Sequence, residues 1–375
     1  MMGIIGNMLL SGESASSRPV LLPDTCLNRK QNKYTCTVCE EVCPEKILTR
    51  ELTGELKWYR CTDCGLCVSA CPSRCFIPSA QMQRVLTDTT HPGEAVVIAC
   101  DREEELLKRK VLCLAGIPWE LLAILTFYGD VVLYTGNCAG CENKAWYSRL
   151  QGNLEKLKSF LGEKAFTERV RLVGSGTWKA EMPEEEKEMT RREIFSKTRK
   201  SLKKTTFRAV LDRFPQLENS EKDTLTYRRI LSQVVLKERE RVLKDQEASG
   251  KHEGADSSLP VYSVPLPAYN TSCFGCSICE RICPQKAIEV KAEEGGTRLI
   301  LITPWKCTSC GLCARICPHD GLNGLRETTV PYLERLPLVR VKTESCEQCG
   351  TAIRPGSRPA LCAVCAAKSR RKLRR

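Results

Sequence analysis

The stretch from Cys273 to Pro318 reads CFGCSICERICP, then twenty-two residues, then CTSCGLCARICP. Each half has the spacing C-x2-C-x2-C-x3-C-P. The eight cysteines are Cys273, Cys276, Cys279, Cys283, Cys307, Cys310, Cys313 and Cys317. Zinc sites use pairs of C-x2-C, whereas these runs are triplets followed by a fourth cysteine. Gly275 and Gly311 suit the tight turns that bring three thiolates to one metal centre. The spacing therefore predicts polynuclear metal centres.

Over about residues 265–325 this pattern resembles the bacterial-type ferredoxins that carry two [4Fe–4S] clusters. In that family each run gives three ligands to one cluster, and its fourth cysteine binds the other cluster. The resemblance implies one cluster on Cys273, Cys276, Cys279 and Cys317. It implies a second cluster on Cys307, Cys310, Cys313 and Cys283.

A second, incomplete copy of the motif lies near the N-terminus, which indicates duplication or fusion of one module. CTDCGLCVSACP is a complete run with Cys61, Cys64, Cys67 and Cys71. CTVCEEVCP before it contributes Cys36, Cys39 and Cys43, but Lys33 stands where the first cysteine belongs. The resemblance implies a complete cluster on Cys61, Cys64, Cys67 and Cys43.

The other N-terminal cluster has three evident ligands, Cys36, Cys39 and Cys71. We predict Cys26, ten residues before Cys36, as its fourth ligand. Cys75, just after the second run, is the rival candidate. A three-iron cluster, or no cluster here, remains the alternative.

Between the two modules the pattern changes to short β-branched runs separated by helical stretches. EAVVIA (94–99), KVLCL (110–114), DVVLYT (130–135) and VRLV (170–173) predict strands of a parallel, Rossmann-like sheet. Cys100, Cys113, Cys138 and Cys141 follow successive strands. Ligands of open α/β sheets gather at the carboxyl ends of strands, so these thiols predict a [2Fe–2S] or zinc site. Buried free cysteines are the alternative.

The GNCAGCE element and the cysteines that follow the strands resemble the delta subunit of methyl-viologen-reducing hydrogenases over about 50 residues. That resemblance implies a [2Fe–2S] centre that passes electrons to a partner. The spacing here is C-x2-C, narrower than is usual in that family.

Near the C-terminus, CEQCG and CAVCA form two knuckles separated by twelve residues. Cys346, Cys349, Cys362 and Cys365 therefore predict a zinc ribbon, with a rubredoxin-like single iron as the rival. The tail KSRRKLRR is strongly basic.

The chain has 375 residues, 25 cysteines and a formal charge of +13. Four cubane clusters and two smaller thiolate sites would contribute a charge of about −12, because ligating thiols are deprotonated. The basicity then compensates the metal centres, and nucleic acid is not an expected partner. Cysteines in metal-ligand spacings indicate a reducing cytoplasm. We expect no signal peptide and no membrane span.

We predict an α+β protein in which two ferredoxin-like modules flank a small α/β parallel-sheet domain and a helical connector. The boundaries are 20–90 for the first module, 92–180 for the α/β domain, 181–246 for the connector, 247–268 for a flexible linker, 269–330 for the second module, 340–368 for the ribbon and 369–375 for the tail. The charged connector carries an apolar stripe that includes Leu225, Ile230, Leu231, Val234 and Val235.

The predicted function is single-electron transfer through [4Fe–4S] clusters between a redox enzyme and a carrier. The expected partner is a hydrogenase, dehydrogenase or flavoprotein, in an anaerobic host by the ferredoxin resemblance. The alternative is a self-contained oxidoreductase with a flavin or substrate site in the α/β segment. No residue set predicts acid–base or nucleophilic catalysis.

Overall fold

The computed structural model describes residues 18–30, 36–48, 58–79, 82, 95–100, 110–136, 138–141, 144–174, 227–249 and 261–373. The chain divides into two compact units. One comprises Met1–Pro23 and Lys33–Arg241, and the other comprises Asp24–Asn32 and Val242–Arg375. Every helix in the described ranges is too short or too polar to cross a bilayer.

The helices are α1 (Leu27–Lys30), α2 (Val38–Val42), α3 (Leu66–Ala70), α4 (Trp119–Thr126), α5 (Lys144–Leu161), α6 (Glu163–Arg169), α7 (Tyr227–Ser249), α8 (Ile278–Ile282), α9 (Leu312–Arg315) and α10 (Ala363–Leu373). The strands are β1 (Val20–Leu21), β2 (Phe76–Ile77), β3 (Val96–Cys100), β4 (Lys110–Val111), β5 (Val131–Gly136), β6 (Val170–Gly174), β7 (Val261–Tyr269), β8 (Ile288–Glu293), β9 (Thr297–Ile302), β10 (Leu322–Pro331), β11 (Leu336–Lys342), β12 (Glu344–Ser345) and β13 (Ala352–Ile353).

The first unit contains a four-stranded parallel sheet in the order β4-β3-β5-β6. The predicted parallel sheet is therefore confirmed. Alternate residues of three strands, Ala99, Val132, Tyr134 and Val173, pack together as a core cluster. Such alternation follows from the two-residue period of a strand, which places every second side chain on the same face. Of the helical stretch DREEELLKRK (101–110) predicted between the first two strands, residues 101–109 lie outside the described residues, and Lys110 begins β4.

α4 lies entirely in the interior, since all eight of its residues are buried. Its Trp119 ring packs against Phe160 of α5 at a centroid distance of 5.3 Å. The turn that precedes α4 is fixed from two directions. Asn153 of α5 donates to the carbonyl of Ile117 at 2.9 Å, and Ser69 of α3 donates to that of Ala115 at 2.7 Å. The N-terminal cysteine-rich segment and the sheet domain thus share one hydrogen-bonded turn.

The first half of α7 belongs to the same unit. Its predicted stripe is buried at Ile230, Leu231, Val234 and Val235, while Leu225 and the connector up to residue 226 lie outside the described residues. Burial of this stripe makes the start of α7 a packed helix rather than a solvated connector. The helix also continues to Ser249, three residues beyond the predicted boundary at 246.

The second unit contains an antiparallel pair, β7 with β10, and an antiparallel sheet in the order β11-β9-β8. The prediction of a flexible linker through residue 268 was wrong from 261 onward, because Val261–Tyr269 forms strand β7. Pro265 and Pro267 suggested a linker. Proline is nevertheless tolerated in a strand with one neighbour, where the missing N–H removes no ladder bond on the open side. Three side chains of this strand, Tyr262, Val264 and Leu266, are buried.

Candidate metal centres

The C-terminal cysteine runs frame a cavity of about 380 Å³. Four of its lining residues are Cys283, Cys307, Cys310 and Cys313, which is the predicted second tetrad. The polar surface of this cavity is almost absent, and Pro267, Leu312 and Leu325 supply apolar walls. The structure therefore brings together these four predicted ligands around a space with a largely apolar surface.

The N-terminal module contains a matching cavity of about 360 Å³. The residues that line it correspond to residues that line the C-terminal cavity. They include the tetrad Cys43, Cys61, Cys64 and Cys67, and the residues Pro44, Thr62, Gly65 and Leu66. Pro19 takes the place of Pro267. Equivalent residues thus enclose similar volumes in two parts of the chain.

The backbone conformation of the two cysteine loops repeats as closely as the residues that line the two cavities. Gly65 and Gly311 both have a φ of 72°, and Lys46 and Lys286 both have a φ of 49°. Asp63, with a φ of 58°, corresponds to Ser309, with a φ of 56°. These left-handed conformations cost energy for non-glycine residues, so they mark a turn that the surroundings hold in place. Both cysteine loops therefore adopt one conformation.

Burial shapes the chemistry of these thiols. It raises the pKa of Cys67 well above its usual value, and neighbouring cysteines led by Cys64 raise it further. The pKa of Cys313 is raised for the same two reasons. Thiols of this kind give up their protons when a cation compensates the thiolate charge. The donor set therefore fits a cationic iron–sulfur core better than an empty thiol cluster.

The first C-terminal tetrad has a hydrogen-bond donor that sequence reasoning missed. The Tyr269 hydroxyl donates to Cys279 Sγ at 3.3 Å. Burial raises the pKa of Tyr269, so its hydroxyl keeps the proton that it donates. Cys279 itself is buried, and burial raises its pKa to about 11. In the N-terminal module, Leu21 pairs with Phe76 as Tyr269 pairs with Leu322, and leucine has no donor.

We expect Tyr269→Phe to lower the reduction potential of a [4Fe–4S] cluster bound by the predicted tetrad of Cys273, Cys276, Cys279 and Cys317. A hydrogen bond to sulfur stabilises the more negative, reduced state. Loss of about 1 kcal/mol corresponds to roughly 40 mV for one electron. Potentiometric EPR measures the shift, and Tyr262→Phe on the same strand is the control. Equal potentials in the two variants would show that the Tyr269 hydroxyl does not act on this cluster.

The four thiols of the α/β domain lie at the carboxyl ends of its strands, as predicted. Cys100 ends β3, Cys113 follows β4, and Cys138 and Cys141 follow β5. Burial raises the pKa of Cys113 to about 12, with further contributions from Cys100, Cys138 and Cys64. Cys100 and Cys138 therefore lie close enough to Cys113 to raise its pKa, which brings three members of the predicted site near one another.

This central set lies directly against the N-terminal cavity. A Cβ at Gly116 would lie 2.0 Å from the carbonyl oxygen of Cys64, so only glycine fits. Gly65 in turn faces the Gly116 carbonyl oxygen, which would lie 3.0 Å from an added Cβ. The loop that bears Cys64 and the loop that bears Cys113 are thus in backbone contact.

A buried ion group supports the same region and was also missed from the sequence. Arg74 contacts Glu120 at 2.8 Å, and Arg228 of α7 lies 3.6 Å from the same carboxylate. Arg74 also donates to the carbonyl oxygens of Ser69 and Cys71. The sign of this ion group in the sequence is Glu120, an acidic residue within the apolar run WELLAILT.

The ribbon cysteines form the most compact group. The four Sγ atoms of Cys346, Cys349, Cys362 and Cys365 lie within 4.8 Å of one another, and no other group of described residues does so. The β12–β13 hairpin carries the first pair, and the start of α10 carries the second. A hydrogen bond with Thr351 lowers the pKa of Cys349 to about 6, which favours its thiolate.

The least complete predicted site is the one on Cys36, Cys39, Cys71 and Cys26. Cys71 is buried, and a hydrogen bond with Cys75 lowers its pKa to about 6. The nearby Cys39 raises the pKa of Cys67, just as Cys279 raises the pKa of Cys313. Cys26 is buried just before α1, in a segment grouped with the second unit. Lys33 lies outside the described residues.

Comparison with known proteins identifies one domain of this chain. The family described as 4Fe-4S dicluster domains matches residues 272–320, which contain both C-terminal tetrads. No curated protein matches the chain. The second unit therefore carries a ferredoxin-like iron–sulfur domain.

Proposed function

We propose that this chain is an electron-transfer protein, or an electron-transfer subunit of a larger oxidoreductase, with four [4Fe–4S] clusters in two modules. The observation that carries the proposal is the pair of matching four-cysteine cavities, one of which lies inside the dicluster domain. When bound, a cubane cluster takes up and releases one electron at a time.

Cys61, Cys64, Cys67 and Cys43 would hold the complete N-terminal cluster. Cys307, Cys310, Cys313 and Cys283, and separately Cys273, Cys276, Cys279 and Cys317, would hold the two C-terminal clusters. Cys36, Cys39 and Cys71 would hold the fourth with one further thiolate. Apolar walls would exclude water from the clusters. Backbone N–H groups would donate hydrogen bonds to the cysteine sulfurs. Ala287 donates to Cys283 Sγ at 3.3 Å, for example.

For the central site we propose a [2Fe–2S] cluster on Cys100, Cys113, Cys138 and Cys141. A single zinc with bonds of about 2.3 Å needs four sulfurs about 3.8 Å apart. The four ribbon sulfurs lie within 4.8 Å of one another, and those of the central set are not so close, so the wider arrangement favours two irons. The contact between Gly116 and Cys64 supports a role for this centre beside the N-terminal cluster.

For the ribbon we propose a structural zinc. Its four thiolates would complete a tetrahedral shell and leave no open position for substrate. Cys346 and Cys365 pack with Ile353 in a small core, as expected where the metal replaces a larger apolar interior.

The partner that we propose is an acidic redox protein of the hydrogenase, dehydrogenase or flavoprotein type. A surface cavity of about 960 Å³ in the second unit has the ligand Cys273 in its wall. Three cationic side chains, Arg340, Lys342 and Arg354, line the same cavity. Their charge complements an acidic partner that approaches the cluster on Cys273.

A redox titration of anaerobically prepared full-length protein tests the proposed function. The chain should take up electrons from a low-potential reductant singly and return them to an oxidant without loss of iron. Irreversible bleaching on the first reduction would contradict an electron-transfer role.

A further inference from the structure

The N-terminal module lacks one ligand, since Lys33 stands where the C-terminal module has Cys273. Cys36, Cys39 and Cys71 remain for its second cluster. The internal repeat allows the missing position to be located by comparing the two modules, residue by residue, near Cys71 and its equivalent Cys317.

The chain follows one path after Cys71 and after Cys317. Three residues on, Arg74 and Asp320 both have a positive φ, 56° and 49°. Four residues on, the N–H of Cys75 donates to Cys71 Sγ at 3.3 Å, and the N–H of Gly321 donates to Cys317 Sγ at 3.2 Å. Cys75 therefore occupies the place of Gly321.

Gly321 has no space for a side chain, and the reason is Cys273. A Cβ built on Gly321 would lie 3.0 Å from Cys273 Cα and 3.1 Å from Cys273 Cβ. A side chain at this position therefore extends into the space that the first cysteine of the run fills. In the N-terminal module that cysteine is absent, and the residue at this position carries a thiol.

We propose that Cys75 replaces the missing cysteine and binds the second N-terminal [4Fe–4S] cluster together with Cys36, Cys39 and Cys71. The inference rests on the proposed function, because it assigns a ligand to one of its clusters. Cys75 is only 3% exposed, and its sulfur lies 3.3 Å from that of Cys71. That distance is longer than a disulfide bond of about 2.05 Å.

Ligands on different irons of a cube stand farther apart than these two sulfurs. Cluster binding must therefore turn one of the two side chains to another staggered rotamer. Cys75 would bind as the thiolate, and its proton would leave to solvent when the Fe–S bond forms.

The first test replaces Cys75 by glycine, the residue that the other module carries, with Cys26→Gly as the matched variant. After anaerobic reconstitution we expect Cys75→Gly to lose from about one to about four irons per chain and Cys26→Gly to lose none. Mössbauer spectra should show the change, while the signal of the cluster on Cys43, Cys61, Cys64 and Cys67 persists. Iron with 2-mercaptoethanol, an external thiolate, should restore the lost iron in Cys75→Gly.

The second test moves the arrangement into the other module and does not depend on how the first variants fold. Cys273→Gly should lose iron from the C-terminal module, and the added change Gly321→Cys should restore it. Gly321 has no positive φ, and Cys273→Gly removes the Cβ that lies 3.1 Å from the added side chain. The Cα and N of residue 273 remain at 3.0 and 3.2 Å and must shift by a few tenths of an ångström. Recovery of the iron would show that a thiol at this position reaches the cluster.

An iron loss in Cys26→Gly equal to or larger than that in Cys75→Gly would overturn the assignment. So would failure of Gly321→Cys to restore iron to Cys273→Gly. Failure of the proposed function looks different, because the unaltered chain would then hold no cubane iron at all.

Discussion

Replacing Cys310 by alanine should remove about four of roughly sixteen cubane irons per chain and leave the N-terminal clusters in place. Cys310 is one of four thiols around the C-terminal cavity, and burial raises its pKa, as does Cys283. With Cys310 gone, the cavity wall offers no replacement thiol, because its other polar side chains are the hydroxyls of Thr308 and Ser309 and the amide of Gln285. Iron analysis and EPR of the reduced protein measure the loss.

The matched variant is Cys64→Ala, since Cys64 holds the same place in the N-terminal cavity. It should remove about four irons from the N-terminal module and leave the C-terminal signals unchanged. The double variant should lose about eight irons, the sum of the two single losses. Loss of all clusters in either variant would contradict independent modules.

The second large effect is on stability. Replacing Glu120 by glutamine should lower the free energy of unfolding by about 3–5 kcal/mol, because two buried guanidinium groups lose their shared carboxylate. Glu120 is 1% exposed, with Arg74 at 2.8 Å and Arg228 at 3.6 Å. Arg74 also holds the carbonyl of Cys71, so we expect iron at that site to be released earliest in urea.

The control is Glu238→Gln, which breaks the exposed pair with Arg241 in the same helix α7. Exposed pairs three residues apart contribute only about 0.3–0.5 kcal/mol. Anaerobic urea titrations of both variants give the comparison. A Glu120 variant as stable as the Glu238 variant would mean that the buried ion group does not support the unit.

The cysteine spacings predicted more of the candidate sites than any other pattern. They depend on local turns, and the loops around Cys61 and Cys307 repeat their backbone angles because their local sequences repeat. The strands of the parallel sheet were also predictable, because VVLYT and its neighbours are β-branched runs. The match of the dicluster family at 272–320 supports the C-terminal part independently.

What the sequence did not predict depends on contacts between distant segments. Strand β7 looked like a linker because Pro265 and Pro267 suppress the strand pattern, and its pairing partner β10 lies about 60 residues away. Tyr269 acts through a hydroxyl that reaches Cys279, which no spacing reveals. The triad of Arg74, Glu120 and Arg228 joins three segments that are far apart in the chain.

The two modules together also explain why the cysteine spacing alone predicts Cys26 and keeps Cys75 as a rival. A ligand that replaces another from a different point of the chain has no fixed sequence spacing. The close approach of Gly321 to Cys273 supplies the missing information, because it identifies the residue that borders the first cysteine of a run.

The central claim is that paired cysteine tetrads hold [4Fe–4S] clusters that exchange single electrons. The most direct measurement is the metal content of the anaerobically purified full-length chain, taken with its redox titration. The account predicts about sixteen irons in cubanes, about two more in the central site and about one zinc, with reversible one-electron steps. A colourless protein with zinc in the triplet runs and no reversible reduction would contradict it.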